Sequence, residues 1–308
     1  MPELHLAGTF TALVTPFTPD GEALDLDALD ALVEAQIAGG VDVLVPCGTT
    51  GEAPTLSEDE AATVIRRVVA VASGRVPVLA GTGSFSTRKT IAASRAALSA
   101  GADGVMLVMP YYSKPSQDGL REHVLAVARA IPAPIVLYNV PSRTVVDLTA
   151  DTTEQICAAA PNVVGLKDAT GNVLRCQELV RRLGDRLAIL CGDDALTLPM
   201  MASGARGVIS VTSNVLPREV SDVPRLVAAG EFAAARARHL ALLDVHASMF
   251  LEPNPAPAKA ALAWLGRMNH AVRLPLVPAS AETQAKTAQA LERLGVAPPG
   301  SSTGSSAS

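Results

Sequence analysis

A lysine closes an apolar run in VVGLKDATG, residues 163–171. An ammonium group there is costly unless it is paired or spends part of its time uncharged. An ordinary lysine, with a pKa of about 10.4, presents the free amine in only on the order of one molecule in a few thousand at neutral pH, and burial raises that fraction. Lys167 is thus suited to attack a carbonyl carbon and hold it as an imine, an electron sink for carbanion chemistry. The alternative is an ion pair with Asp168, or with Asp193 or Asp194 further along. Strand alternation sends Asp168 to the face opposite Lys167, which disfavours the nearest partner.

Three other stretches carry candidate groups. GTTGE, residues 48–52, sets the hydroxyls of Thr49 and Thr50 and several backbone N–H groups in a turn ahead of a helix. Such a turn can cradle a carboxylate, and it can equally be an ordinary connection with glycines for geometry. In YNVPSRT, residues 138–144, the phenol of Tyr138 precedes Arg143 by five residues. A guanidinium fork takes a carboxylate bidentately, although an exposed loop arginine is also common. PYYSKP, residues 110–115, holds Tyr111 and Tyr112, which could donate protons or anchor an interface.

These residues need a frame that brings them to one place. Eight short apolar runs bounded by turn residues recur: TFTALVTPF (9–17), VDVLVPCG (41–48), VPVLAGTG (76–83), GVMLVMPYY (104–112), PIVLYNVP (134–141), VVGLKDAT (163–170), LAILCGDD (187–194) and GVISVTSN (207–214). Each is nearly continuous, the mark of strands covered on both faces. Amphipathic segments lie between them. One ends in Gly39-Gly40, a C-cap signal, and another opens with Ser57 followed by Glu60, a capping box. The repeat predicts a (β/α)8 TIM barrel over residues 1–230. An open doubly wound sheet would carry a glycine fingerprint in its first unit; GTGSFS at 81–86 is a fragment of one, in the third. Beyond residue 230 only helical patterns follow, which predicts an all-helical C-terminal appendage over 231–297 and a disordered tail over 298–308. In a barrel the chemistry sits at the carboxyl ends of the strands. Reading those ends gathers Thr15, residues 48–52, Tyr111, Tyr112, Tyr138 through Arg143, Lys167, Gly192 through Asp194 and Ser210 at one mouth.

Composition narrows the partners. With 49% hydrophobic and 18% charged residues, the 308-residue chain has a globular profile. A net charge of -5 and the lack of a Lys/Arg block argue against nucleic acid. The first Lys or Arg is Arg66, so no positive segment opens a secretory signal, and no apolar run approaches a membrane span; the expected location is cytoplasmic. Cys47, Cys157, Cys176 and Cys191 show no C-x-x-C spacing and read as small reduced hydrophobes. His239 and His246 could share a helix face, read here as a surface pair and not a metal site.

Taken together, GTTGE, PYY, YNVPSRT, GLKDATG, CGDD, GVISVTSNV and EPNPAPAK, in this order and at these separations, closely resemble the dihydrodipicolinate synthase family, formally the 4-hydroxy-tetrahydrodipicolinate synthases, of the pyruvate-dependent aldolase superfamily. The likeness runs from about Gly8 to Pro278. The resemblance implies that Lys167 forms the Schiff base with pyruvate, and that Tyr138 moves protons through Thr49 to Tyr112. The residue matching Tyr112 comes from a neighbouring subunit, so a homo-oligomer, a dimer of dimers, is implied. Thr50 resembles the pyruvate-carboxylate site, Arg143 the receptor for the carboxylate of L-aspartate 4-semialdehyde, and Gly192 and Ile209 pocket-lining residues. No metal or organic cofactor is implied. In family members inhibited by L-lysine, a histidine, an asparagine and a glutamate hold the inhibitor at the dimer interface; the matching positions here are Glu58, Phe85 and Lys89, with Tyr111 retained. A cation where the inhibitor's ammonium needs an anion implies weak or absent feedback. Two further readings remain: a pyruvate-forming lyase acting on a sugar-derived 2-keto acid, and a non-catalytic barrel that binds a keto acid.

Overall fold

The eight apolar runs form eight parallel strands: β1 Gly8–Ala12, β2 Val43–Val45, β3 Leu79–Gly81, β4 Gly104–Val108, β5 Ile135–Asn139, β6 Val163–Asp168, β7 Ala188–Cys191 and β8 Gly207–Ser210. This is a computed structural model, and it describes residues 4–300; the expected tail at 298–308 lies outside the described residues from 301 onward. Neighbours run β2-β1-β8-β7-β6-β5-β4-β3. The ends meet through a parallel bridge between Leu44 and Val78, with Leu44 N–H donating to Pro77 O at 3.0 Å and Gly81 N–H to Pro46 O at 2.9 Å. The sheet therefore closes into the expected (β/α)8 barrel. Prolines trim several runs, because they cannot donate to the ladder: β2 stops at Val45, before Pro46, and β5 starts after Pro134.

Helices α1 Leu26–Gly39, α2 Glu58–Ala72, α3 Thr87–Ser99, α4 Gln117–Ala130, α5 Pro141–Thr144, α6 Ala150–Ala159, α7 Val173–Leu183, α8 Thr197–Ala202 and α9 Pro217–Ala228 connect and follow the strands. The end signals act as expected. Gly40 closes α1 in the left-handed conformation, φ 77°, donating to Gln36 O and Ile37 O. Ser57 and Glu60 form a reciprocal capping box on α2, Glu60 N–H to Ser57 Oγ at 3.1 Å and Ser57 N–H to Glu60 Oε2 at 2.9 Å.

Alternation along the strands divides the core in two. Val43, Val45, Val136 and Tyr138 turn inward with Phe10, Leu79, Met106, Leu190 and Ile209. Leu44, Ile135, Leu137 and Leu166 turn outward against the helices. Each such side chain, removed from water, contributes about 1.5–3 kcal/mol relative to exposure. The same alternation places Leu166 outside and Lys167 inside, level with Tyr138 across the β5–β6 ladder.

Three further helices follow: α10 Phe232–Ser248, α11 Ala256–Trp264 and α12 Ala281–Arg293. Leu242, Val245, Leu262 and Leu291 join the outer core. The expected surface pair on α10 is corrected here: His239 and His246 are only 5% and 3% exposed. Their face packs on the loops after β7 and β8, where His246 Nδ1 lies 2.9 Å from Thr212 Oγ1. Burial holds both imidazoles below the ordinary histidine range. Among the described residues no group of three His, Cys, Asp or Glu could hold a metal, and no helix is long and apolar enough to cross a membrane.

Candidate active site

Lys167 lies near the carboxyl end of β6 and is 5% exposed. Its Nζ sits 4.3 Å from the centroid of the Tyr138 ring. Its three candidate ion-pair partners are engaged elsewhere. Asp168 points outward, accepts from Thr170 N–H at 2.9 Å and faces Arg175 Nε at 3.6 Å. Asp193 accepts from Ala195 N–H at 3.1 Å. Asp194 takes the hydroxyl of Ser210 together with Val211 N–H at 2.9 Å and Thr212 N–H at 3.3 Å, fixing the loop after β8. Among the described residues Lys167 has no carboxylate partner, so the ion-pair alternative falls. Burial raises the carboxyls of Asp168 and Asp193, and hydrogen bonds from Thr170 and Ala195 oppose it.

The turn after β2 is closed by Gly51 N–H donating to Gly48 O and Glu52 N–H to Thr49 O, both at 3.1 Å. Thr15 Oγ1 anchors it from β1's loop through Gly51 O at 2.7 Å. Thr50 is buried, and its hydroxyl accepts from Asn254 Nδ2 at 2.9 Å. The N–H groups of Thr49 and Thr50 donate to no acceptor among the described residues, which leaves two donors for an anion. Ile209 is buried inside the barrel beside Phe10. Gly192 follows β7 and is glycine for a steric reason: a Cβ there would stand 2.6 Å from Ala169 Cβ and 3.0 Å from Asp168 O.

Two candidates stand apart. Arg143 sits exposed on α5, and its side chain makes no hydrogen bond or ion pair among the described residues. Tyr112 is 91% exposed and adopts φ 69°, an uncommon backbone for a bulky residue. Neither phenol, Tyr112 or Tyr138, shares a hydrogen bond with Thr49 within this one chain among the described residues. Tyr111 packs edge-on against Phe85, ring centroids 5.5 Å apart, and Lys89 Nζ lies 6.0 Å from the Phe85 centroid.

Sequence reasoning gave no role to Asn254 or Lys259, although both lie in the EPNPAPAK stretch. Asn254 reaches Thr50, and its own Oδ1 is buried without a partner. Lys259 is fully buried and pairs with Glu52 at 2.5 Å. A lysine next to an alanine-rich helix reads as a solvated cation. The signal that could have found it is its place on α11, where every residue from Ala256 to Leu262 is buried.

A closed barrel with a buried amine at the carboxyl-end rim, free of any carboxylate among the described residues, is an architecture suited to a Schiff-base-forming lyase. Residues 5–294 match the model of the Dihydrodipicolinate synthetase family, and the chain belongs to that family, whose members are lyases. It is 77% identical to the 4-hydroxy-tetrahydrodipicolinate synthase of Sorangium cellulosum over 294 residues, 96% of this chain and 98% of that one. The crystal structure of dihydrodipicolinate synthase from Aquifex aeolicus superposes with a TM-score of 0.92 at 43% identity, covering 95% of this chain and 99% of that one. The chloride-inhibited dihydrodipicolinate synthase of Acinetobacter baumannii, solved in complex with pyruvate, gives 0.92 at 41%, covering 95% and 100%.

Proposed function

We propose that this chain condenses pyruvate with L-aspartate 4-semialdehyde through an imine on Lys167, giving 4-hydroxy-tetrahydrodipicolinate for lysine and diaminopimelate synthesis. The observation that carries the reading is the buried Lys167 amine, free of any carboxylate among the described residues and set beside the Tyr138 ring. In this reading Nζ attacks C2 of pyruvate and the carbonyl oxygen leaves as water. A proton then leaves C3, and the enamine carbon adds to the aldehyde. Finally the amino group of the second substrate displaces Lys167 from C2 and closes the ring. Tyr138 hands protons on through Thr49 to Tyr112, the last supplied by a second copy of the chain. The pyruvate carboxylate takes the free N–H groups and hydroxyl of the Thr49–Thr50 turn, Arg143 takes the carboxylate of the semialdehyde, and Gly192 and Ile209 shape the space between them. Neither a metal nor an organic cofactor is required, because the enamine is itself the nucleophile.

The exposure and backbone of Tyr112 support a homo-oligomer in which this residue crosses an interface, and the family resemblance makes that oligomer a dimer of dimers. Lys89 beside Phe85 supports weak sensitivity to L-lysine, since a cation there repels the inhibitor's ammonium. The setting proposed is the cytoplasm, where four buried free thiols stay reduced. Steady-state rates test the substrate assignment. Turnover of pyruvate with L-aspartate 4-semialdehyde should exceed cleavage of sugar-derived 2-keto acids; the reverse ranking contradicts the proposal. Half-inhibition at sub-millimolar L-lysine contradicts the lysine reading alone.

A further inference from the structure

The turn that holds Thr49 and Thr50 is not secured by the barrel alone. Glu52, its last residue, is 1% exposed and sits in the left-handed region, φ 54°, which a glutamate rarely occupies without support. Both carboxylate oxygens are engaged. Oε1 accepts from Lys259 Nζ at 2.5 Å, and Oε2 accepts from the backbone N–H of Arg273 at 2.9 Å. Lys259 itself has no exposure; it also donates to Ala271 O at 2.7 Å and lies 4.2 Å from the centroid of the Phe17 ring. One further contact comes from the same stretch of chain, the bond from Asn254 to Thr50.

A buried ion pair adds little net stability compared with an apolar pair of the same shape, but breaking one half leaves an unpaired charge in the interior. Burial already draws the Lys259 ammonium down to about 8 against the pull of Glu52, so the site tolerates the charge only with its partner in place. Without the Lys259 ammonium, the side chain at position 52 loses its tether to the C-terminal helices and keeps only the Arg273 N–H, whether or not it carries a charge. The turn is then free to shift, since Glu52 N–H bonds Thr49 O and carries the two threonines with it.

We propose that Lys259 is a positioning residue: from the C-terminal helices, through Glu52, it fixes the turn whose Thr49 and Thr50 N–H groups receive the substrate carboxylate. This inference rests on the proposed pyruvate chemistry of the same site. Charge and geometry set its prediction: loss of the pair should weaken pyruvate binding selectively, while the Arg143 side of the site, which makes no contact with the pair, is spared.

The test compares the full-length parent with Lys259→Met and with the double variant Glu52→Gln/Lys259→Met, which removes both charges and leaves no buried ion. For each, borohydride trapping gives the half-saturating pyruvate concentration, and steady-state kinetics give both KM values. The inference expects the pyruvate values to rise about ten-fold or more in both variants, in line with the cost of a misplaced binding group. The KM for the semialdehyde should stay within about two-fold. A role confined to stability would instead reduce the active fraction and kcat with both KM values unchanged, which overturns the inference. If Lys259→Met does not fold, the charge-free double variant decides alone: a folded double variant with parental pyruvate affinity overturns it. Absence of any pyruvate adduct in the parent would instead refute the function proposed above.

Discussion

Lys167, Tyr138 and Arg143 divide the proposed chemistry into three separable measurements. Lys167→Ala should abolish imine formation while leaving the circular dichroism spectrum and melting cooperativity of the parent, because it removes an unpaired amine and not a packing layer. Loss of the fold would show that the amine has a structural partner. Tyr138→Phe keeps the ring 4.3 Å from the amine and removes only the hydroxyl. Its kcat should fall about 10²- to 10⁴-fold, the usual worth of a positioned proton donor. Arg143→Ala should raise the KM for the semialdehyde about ten- to a hundred-fold, as expected for a lost charge-assisted hydrogen bond, with little effect on pyruvate. Equal rises in both would contradict the carboxylate assignment. The lysine was legible in the sequence because a charged residue at the end of an apolar run conflicts with burial, and such a conflict needs a reason. Lys259 was not, since its partner Glu52 lies 207 residues away and no local pattern announces the pair.

The strands were legible as elements because each is a continuous apolar run bordered by glycine or proline; their number pointed to a barrel, and the Leu44–Val78 bridge closes it. The burial of His239 and His246 was missed because α10 is alanine-rich, so its buried face carries little apolar contrast for a sequence to display. Two element-level predictions follow from how helices seat on the barrel. Arg273 grips Glu60 through its two terminal guanidinium nitrogens, at 2.7 and 2.9 Å, and that hydrogen bonding depresses the Glu60 carboxyl to about 2. A depressed folded-state value stabilises the native chain above the ordinary glutamate range, and that stabilisation is lost as pH falls toward the folded value. The difference in melting temperature between the parent and Glu60→Gln should therefore be constant above about pH 5 and narrow below it. A difference independent of pH would show that the ion pair contributes nothing. The cysteines lie under the helices, and burial pushes Cys47 up to about 12 and Cys157 and Cys176 up to about 11, with Cys191 also raised. Iodoacetamide at neutral pH should leave all four unlabelled in the native enzyme, as thiolate is the reacting form. Labelling of the folded chain would contradict their placement.

At the scale of the molecule, the barrel gathers groups from β2, β5, β6, β7 and β8 at one mouth, and the C-terminal helices return to lock the turn after β2. A second copy is the remaining part of the account. Tyr112 extends outward, and Phe85 and Tyr111 form an aromatic pair beside it. Sequence reasoning reached the proposed assembly only through family resemblance, since an exposed tyrosine carries no periodic signal of its own. The barrel frame matters for one event above all, the union of the Lys167 amine with a keto acid. Sodium borohydride added to the full-length enzyme with pyruvate, followed by peptide mass analysis, observes that event directly. The account predicts the mass of one reduced pyruvyl group on the peptide containing Lys167, absent when pyruvate is omitted; an unmodified Lys167, or an adduct carried by a different lysine, would contradict it.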